Sequence, residues 1–379
     1  MRIAVPAETD PGEARVAATP ETVKKYLALG AEVVVQSQAG VKSGVPDADY
    51  VAAGATVADD ARSAIAGADL ILRVRRPDAH DLAGAKHGAV VLAIADPYDH
   101  TDALQSVAET GVQLFAMELM PRITRAQVMD VLSSQANLAG YRAVVDAAAE
   151  FGRAFPMMMT AAGTVPAAKV FIMGVGVAGL QAIATARRLG AIVTATDVRP
   201  ATKEQVVSLG AKFVAVEDDE FKQAETAGGY AKQMSAAYQE KQNALTASHI
   251  AKQDVVITTA LIPGRKAPVL ITEAMVASMR PGSVIIDLAV ERGGNCALSR
   301  PGGIVTTAQG VKIVGHLNVS GRLAATASAL YARNLFAFVE TLVDKTAKTL
   351  AVNSDDELVK ATLLTKDGGL VHPNFQAAA

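Results

Sequence analysis

The chain has 379 residues, half of them hydrophobic, and a formal net charge of −2 at pH 7. Because 36 Lys and Arg residues balance 38 Asp and Glu residues, the composition offers no electrostatic attraction to nucleic acid or to an anionic membrane surface. A single cysteine, Cys296, excludes an intramolecular disulfide framework and is typical of a reducing compartment.

The first third of the chain alternates short apolar runs with amphipathic stretches. It begins directly with a strand-like run and lacks the apolar segment of a signal peptide, so we expect a cytoplasmic protein. Helices are predicted at residues 20–29 and 101–109. Strands are predicted at residues 3–5, 32–36, 70–74, 90–94 and 113–117. Strands separated by helices predict a mostly parallel sheet that is covered by helices.

A polar segment follows the last of these strands. It places Arg122, Gln127 and Asp130 on one loop, with Ser133 shortly after. An amide or a guanidinium suits the carboxamide and pyrophosphate of a nicotinamide nucleotide, and none of these side chains is a good proton shuttle at neutral pH. The alternative is a cluster of salt bridges between domains. Residues 133–151 then predict one long helix that leads into a second domain.

The most informative segment is a strand, a glycine turn and a helix at residues 169–189. Gly174, Gly176 and Gly179 form a G-x-G-x-x-G motif between the apolar run and the helical pattern. Gly174 permits the tight turn, Gly176 lets the backbone approach a pyrophosphate, and Gly179 lets the helix pack closely on the strand. This context predicts a bound dinucleotide. The alternative is a glycine-rich turn that binds no nucleotide.

An acid lies at the expected distance from the glycine turn. Asp197 ends the next predicted strand and can accept hydrogen bonds from both ribose hydroxyls. It favours NAD over NADP because a carboxylate repels a 2′-phosphate. Arg199 complicates this preference, since a nearby arginine can accommodate that phosphate. Stacking on adenine and a solvated surface position remain open for Arg199.

The rest of the chain predicts a doubly wound sheet and a return to the first domain. The strands of the second domain are predicted at residues 169–173, 191–196, 212–216, 255–260, 283–289 and 311–314. A helix at residues 323–344 and a tail at 348–373, with the hairpin signal Asp367-Gly368, follow. We therefore predict an α/β protein of two Rossmann-like domains. The first, discontinuous domain comprises residues 1–132 with 321–379, and the NAD(H)-binding domain comprises residues 133–320.

Residues 217–242 do not fit the alternation of strands and helices. The segment is acidic at its start and then small and glycine-bearing, which predicts a long loop. Tyr230 on a glycine hinge suggests a lid, and an ordinary surface loop with a tyrosine anchor is an equal alternative.

The sequence contains no recognisable acid–base catalyst or metal motif. None of the six histidines lies in an obvious catalytic setting, and no Cys or His spacing is typical of a metal site. We therefore expect no metal.

Specific strings beyond the glycine motif carry a resemblance to a known family. These strings occupy residues 15–20, 117–125, 137–142, 174–179, 227–232, 258–264 and 293–296. With them the chain resembles the NAD(H)-binding component of the proton-translocating nicotinamide nucleotide transhydrogenases, in the form of the alpha-1 subunit of split bacterial enzymes. Alanine dehydrogenase belongs to the same superfamily.

The resemblance implies which residues contact NAD(H). Arg122, Gln127 and Asp130 would act at the nicotinamide end, with Gln127 closest to hydride transfer. Tyr230 would close a loop over the bound nucleotide. The whole implied set is Arg122, Ile123, Thr124, Arg125, Gln127, Asp130, Ser133, Gly174, Gly176, Val177, Gly179, Asp197, Val198, Arg199, Gly229, Tyr230, Gln242 and Leu261.

The chain departs from alanine dehydrogenases at two positions. Those enzymes carry a catalytic lysine near the end of the third strand and a histidine after the fourth. Here Arg75 takes the place of the lysine, and residues 92–96 contain no histidine. Because an arginine does not exchange protons near neutral pH, oxidative deamination is disfavoured. Direct hydride transfer between two nicotinamides needs no acid–base pair.

The resemblance also implies partners. It implies a homodimer, a beta subunit that holds NADP(H), and membrane-spanning subunits that couple hydride transfer to proton translocation. Full-length alpha chains continue into membrane helices, so an end at Ala379 implies the split arrangement and a peripheral position at the inner membrane. The alternatives are an amino-acid dehydrogenase of the alanine type and a non-catalytic NAD-binding module.

Overall fold

The computed structural model describes residues 1–224 and 234–376, and the chain forms two compact units. The first unit takes Met1–Gln135 and Ser320–Ala379, and the second takes Ala136–Val319. Each unit contains a sheet with helices, so the predicted α/β fold class is confirmed.

The first unit contains a six-stranded sheet in the order β3-β2-β1-β4-β5-β6, in which every pair is parallel. Its strands are β1 (Arg2–Val5), β2 (Glu32–Gln36), β3 (Thr56–Ala58), β4 (Leu70–Arg75), β5 (Val90–Ile94) and β6 (Gln113–Ala116). Its first helices are α1 (Pro20–Ala28), α2 (Asp47–Ala52), α3 (Ala61–Ile65) and α4 (Thr101–Ala108), and α5 (Val131–Glu150) begins in the first unit and continues into the second.

Alternation along the strands gives this sheet two buried faces. In β4, Leu70 and Leu72 pack into one hydrophobic cluster and Ile71 packs into another. Because successive side chains of a strand point to opposite faces, the apolar run Leu70–Leu72 is buried on both sides of the sheet. The carboxyl ends of parallel strands then lie at one edge of the sheet, where side chains after different strands can meet.

The second unit contains a seven-stranded sheet in the order β11-β10-β9-β12-β13-β15-β14, and only the β14–β15 pair is antiparallel. Its elements begin with the hairpin β7 (Met158–Thr160) and β8 (Gly163–Val165), followed by β9 (Lys169–Met173), α6 (Val177–Arg188), β10 (Ile192–Thr196), α7 (Thr202–Ser208) and β11 (Lys212–Phe213). After these come α8 (Asp219–Lys222), α9 (Ala236–Ile250), β12 (Val255–Thr258), α10 (Glu273–Ser278), β13 (Val284–Asp287), β14 (Ile304–Thr306) and β15 (Lys312–Val314).

The C-terminal segment returns to the first unit. Its elements are α11 (Ala324–Val339), β16 (Val343–Asp344), β17 (Thr349–Leu350), α12 (Glu357–Thr362), β18 (Thr365–Lys366) and β19 (Gly369–Leu370). Asp367 and Gly368 connect β18 to β19 with φ angles of +51° and +82°. The hairpin signal in the sequence therefore identified a real turn, because positive φ at both central residues is what a type I′ turn requires.

Several elements differ from the sequence predictions. The structure adds β3, the hairpin β7–β8 and the antiparallel β14. The predicted loop at residues 217–242 was wrong in extent, because α8 lies within it and α9 begins at Ala236. Both helices have side-chain caps, with Asp218 accepting from Phe221 N and Ser235 accepting from Tyr238 N. Over the described ranges, no helix has the length and apolar character needed to cross a bilayer.

Candidate functional site

The glycine motif connects β9 to α6, and its three glycines meet different steric demands. Gly174 has φ +102°, which favours glycine. A Cβ on Gly179 would lie 1.9 Å from the Gly174 carbonyl oxygen, so the turn and the helix pack at backbone distance. A Cβ on Gly176 would meet nothing within 4 Å. The protein itself therefore does not require glycine at position 176, and the space beside it is open.

The N-terminus of α6 faces this turn without a side-chain cap. Gly176 is the N-cap residue, has extended backbone and offers no side-chain hydrogen-bond acceptor. The first N–H groups of a helix have no partner within the helix, and they carry the positive end of the helix dipole. An open glycine beside such a terminus is the arrangement that binds an anionic group through the backbone.

Asp197 lies directly after β10 and hydrogen-bonds to the glycine turn. Its Oδ2 accepts from Val175 N at 2.7 Å, and its Oδ1 accepts from Arg199 N at 2.9 Å. The Arg199 guanidinium donates to both carboxylate oxygens, at 2.9 Å each, and to the Val175 carbonyl at 3.2 Å. The structure thus pairs Arg199 with Asp197, in contrast to the solvated surface position that the sequence left open.

Two further residues of the implied set lie on loops and helices that follow the strands. The Gln242 side chain on α9 accepts from Val216 N at 2.9 Å and donates to Thr196 Oγ1 at 3.4 Å. Leu261, after β12, is 53% exposed. Gly229 and Tyr230 lie outside the described residues.

Sequence reasoning assigned no role to two residues that shape this edge of the sheet. Thr259 donates through Oγ1 to the Gly174 carbonyl at 3.0 Å. Asn295 is fully buried, and its amide accepts from Ala260 N and donates to the carbonyls of Ala260 and Pro268. Both residues lie in the sequence strings that carried the family resemblance, and these strings were the feature of the sequence that could have indicated a role for them.

The polar segment of the first unit forms a 3-10 helix, Thr124–Met129, ahead of α5. Arg122, Thr124 and Gln127 are exposed, whereas Ile123 is half-buried. Arg125 donates to Asp356 at 2.6 and 3.0 Å, which ties the segment to the start of α12. This ion pair lies within the first unit.

Asp130 and Ser133 form a helix cap. Asp130 accepts from Ser133 N at 2.9 Å and from Ser133 Oγ at 2.6 Å, at the start of α5. Asn334 of α11 adds a second anchor, because it donates to the Val128 carbonyl and accepts from Ser134 Oγ. The backbone of the segment is therefore held at several points while the Gln127 side chain stays exposed.

The buried charges at the end of β4 are paired with one another. Arg75 donates through Nε to Glu13 at 2.8 Å, and Arg15 donates to both Glu13 oxygens. Burial acts to raise the pKa of Glu13, but the hydrogen bonds and charge of Arg15 and the charge of Arg75 outweigh it and lower the pKa to about 2. The Glu13 carboxylate is thus ionised at neutral pH, and neither partner of this pair is poised to exchange a proton.

Comparison with known proteins identifies the chain's relatives. Two family models match, described as the N-terminal domain (residues 4–139) and the C-terminal domain (residues 143–373) of alanine dehydrogenase/PNT. The chain is 56% identical, over 98% of both chains, to the first segment of the NAD(P) transhydrogenase alpha subunit of Rhodospirillum rubrum. The solved structure of the transhydrogenase from Sinorhizobium meliloti is 60% identical, with a TM-score of 0.90 over 98% of this chain and all of that one.

Alanine dehydrogenases are more distant. That of Mycobacterium tuberculosis is 33% identical to the chain, over 79% of this chain and 76% of its own length. The resemblance deduced from the sequence motifs is confirmed, and the chain belongs to the alanine dehydrogenase/PNT family.

Proposed function

We propose that this protein is the NAD(H)-binding subunit of a proton-translocating transhydrogenase, which transfers hydride between NADH and NADP⁺ held by a partner subunit. One observation carries the proposal: Gly176 leaves open space beside an uncapped helix N-terminus, next to Asp197. That arrangement suits a dinucleotide. The names of the relatives supply the reaction, since proteins 44–56% identical to this chain are called NAD(P) transhydrogenase alpha subunits.

The proposal assigns nucleotide contacts to residues of each unit. In the second unit, Gly174–Gly179 and the α6 N-terminus hold the pyrophosphate, and Asp197 holds the adenosine ribose. In the first unit, Arg122 contacts the pyrophosphate and carboxamide region, and Gln127 contacts the nicotinamide, which supplies the hydride. The remaining proposed contacts are Ile123, Thr124, Arg125, Asp130, Ser133, Val177, Val198, Arg199, Gly229, Tyr230, Gln242 and Leu261.

The charge pairing at the end of β4 favours this proposal over an amino-acid dehydrogenase. Oxidative deamination requires a group that gives up and accepts a proton near neutral pH. Arg75 cannot do so, and Glu13 is held ionised by two arginines. Hydride exchange between two nicotinamides makes no such demand.

A reconstituted assay tests the proposal directly. The purified chain would be mixed with the NADP(H)-binding domain of a bacterial transhydrogenase beta subunit, and NADH-dependent reduction of an NADP⁺ analogue would be followed by absorbance. We expect exchange that requires both proteins, and no NADH formation from NAD⁺ and L-alanine by the chain alone. NADH binding without exchange would favour a non-catalytic module, whereas alanine-dependent NADH formation would favour the dehydrogenase.

The same assay tests the role proposed for Gln127. Gln127→Asn shortens the side chain by one methylene group but keeps the amide, so NADH binding should change little. Hydride transfer should fall by about 100-fold, because a shift of about 1 Å at a reacting centre costs that much. Equal losses in binding and transfer would contradict a role in positioning the nicotinamide.

We also propose a homodimer that docks on a membrane through its partner subunits. The hairpin β7–β8 in the second unit exposes Met158 and Met159, and Met157 immediately before it is also exposed. Met159 is 80% exposed. Consecutive apolar side chains on an exposed hairpin favour a protein interface, and in this proposal a second copy of the chain covers them.

A further inference from the structure

The Asp197 carboxylate is fully engaged within the protein. Two oxygens offer about four lone-pair positions in total. Oδ1 accepts from Arg199 N and Nε, and Oδ2 accepts from Val175 N and Arg199 Nη2, all between 2.7 and 2.9 Å. The Asp197 side chain is only 7% exposed. A ribose hydroxyl that donates to Asp197 must therefore replace one of these donors.

Two of the donors are fixed by the backbone. Val175 is buried in the glycine turn, which is held to β10 by the bond from Gly174 N to the Thr196 carbonyl. The backbone of Arg199 is held by Thr202, whose N and Oγ1 both donate to the Arg199 carbonyl. Either N–H could leave Asp197 only if its loop were rebuilt.

The guanidinium is the donor that can leave. The Arg199 side chain is 29% exposed and has a flexible stem, so a change of rotamer can move the guanidinium into solvent. This movement breaks its bonds to Asp197 and to the Val175 carbonyl, while the backbone bonds of both loops remain. In its present position it satisfies Asp197 in the way that a ribose diol would, with two donors directed at two oxygens.

We propose that Arg199 acts at the adenosine ribose as an internal competitor, and not through the direct nucleotide contact assigned to it above, and that it thereby lowers the affinity of the site for NAD(H). The inference rests on the proposed function, which also gives a reason for a site of low affinity. In a transhydrogenase the nucleotide is a substrate that leaves in every turnover. Return of the Arg199 guanidinium to Asp197 would therefore speed its release. Arg199 also prevents Asp197 from remaining a buried, unpaired charge after the nucleotide leaves.

Arg199→Met tests the proposal, because it keeps the apolar stem and removes the guanidinium. Isothermal titration calorimetry would measure the binding of NADH and of ADP, which carries the adenosine ribose without the nicotinamide. We expect both to bind about three- to tenfold more tightly to the variant, the range that corresponds to one or two partly exposed hydrogen bonds. Stopped-flow release of NADH should slow by a similar factor.

Arg153→Met is the matched control. Arg153 forms an ion pair with Asp254, which is also 7% exposed, but this pair lies before β12, at the opposite end of the strands from the glycine turn. Nucleotide binding should be unchanged in this control. A thermal unfolding curve of each variant detects any loss of folding. Arg199→Gln is a second variant that also removes the charge of the guanidinium.

The outcomes separate the inference from the function. Weaker binding of both nucleotides to folded Arg199→Met and Arg199→Gln would overturn the competitor role and would mean that Arg199 contacts the nucleotide. Unchanged binding would also overturn it and would mean that the guanidinium does not affect the site. If the native chain binds NADH, the proposed function survives that result. Failure of the native chain itself to bind NADH would reject the proposed function and the inference together.

Discussion

At the glycine motif, one residue type answers three separate requirements. Gly174 adopts a backbone angle that other residues avoid, and Gly179 lies too close to the Gly174 carbonyl for any side chain. Gly176 has an ordinary φ of −84° and open space around it. The glycines at positions 174 and 179 are explained by the protein's own backbone. Glycine at position 176 is not, so it is the one of the three that favours a bound ligand.

This difference predicts opposite behaviour of two alanine variants. Gly176→Ala should lower the free energy of unfolding by no more than about 1 kcal/mol, the loss expected when alanine replaces glycine at an N-cap, but should weaken NADH binding because the methyl group enters the open space. Gly179→Ala should lower stability by about 1–3 kcal/mol, as overpacking does. Chemical denaturation and calorimetry measure both effects. Unchanged NADH affinity in Gly176→Ala would show that no ligand approaches this residue.

Buried charges at the end of β4 predict a dependence of stability on pH. The pKa of Glu13 is lowered from 4.5 to about 2 in the folded chain, so its ionised form stabilises the fold above about pH 4.5. This contribution, about 3 kcal/mol from the size of the shift, should disappear as the pH falls from 4.5 to 2. In Glu13→Gln, unfolding free energies measured by denaturant titration should fall less steeply over that range.

Glu8 provides a control of opposite sign. Its pKa is raised because burial outweighs the effect of Arg73 and two backbone hydrogen bonds. A carboxyl group whose pKa is raised by folding stabilises the fold at low pH, where it is protonated. This stabilisation is lost as the pH rises through the pKa of the folded state. Glu8→Gln should therefore remove a decrease in stability on raising the pH. If Glu13→Gln and Glu8→Gln changed the slope of unfolding free energy against pH in the same direction and by the same amount, this account would be contradicted.

At the scale of elements, the C-terminal tail joins the first sheet through one buried hydroxyl and through backbone bonds beside it, including Leu364 N to the Leu114 carbonyl at 2.7 Å. Thr365, at the start of β18, is fully buried. Its hydroxyl accepts from Leu114 N at 2.9 Å and donates to the Val112 carbonyl at 2.9 Å, next to β6. Leu363 adds a backbone bridge to Phe115. The tail thereby covers part of an edge strand that would otherwise expose unpaired backbone groups.

Thr365→Val should destabilise the first unit. The substitution keeps the volume but leaves the Leu114 N–H and the Val112 carbonyl without this partner, at a cost of about 1–3 kcal/mol. Thr346→Val, at an exposed position, is the control and should change stability by less than about 0.5 kcal/mol. Equal midpoints of denaturation for the two variants would show that the hydroxyl does not hold the tail.

At the scale of the whole molecule, both units contain a sheet that is entirely or mostly parallel, and the sequence patterns follow from it. Strands buried on both faces appear as runs of apolar residues, which is why β5 and the first three residues of β12 and of β13 were recognisable. The hairpin β7–β8 belongs to neither large sheet and exposes its methionines. The proposed assembly of two copies would bury these exposed side chains.

A charged hairpin tests this assembly. Met158→Asp combined with Met159→Asp should shift the protein from dimer to monomer in light scattering coupled to size-exclusion chromatography, because the new charges would be buried at the interface. Both side chains are exposed in the single chain, so its circular dichroism should not change. A native chain that is monomeric at micromolar concentration, or a variant that stays dimeric, would contradict the proposed interface.

Local patterns by themselves determined the fold class, the turn before α6 and the acid after β10. They could do so because backbone angles, strand alternation and helix periodicity depend on neighbouring residues. The same patterns failed at residues 217–242, where acidic and small residues concealed two capped helices, and at β3, which is too short to show a period.

Tertiary structure alone decided which groups are already engaged. The open space at Gly176, the pairing of Arg75 with Glu13 and the saturation of Asp197 by Arg199 each depend on atoms brought together from separate segments or by one side-chain rotamer. Hydrogen bonds and ion pairs form or fail over less than 1 Å, a precision that residue spacing along a chain does not carry. The sequence therefore identified the glycine motif and the acid that follows it, and the fold decided which of their groups are already hydrogen-bonded within the protein.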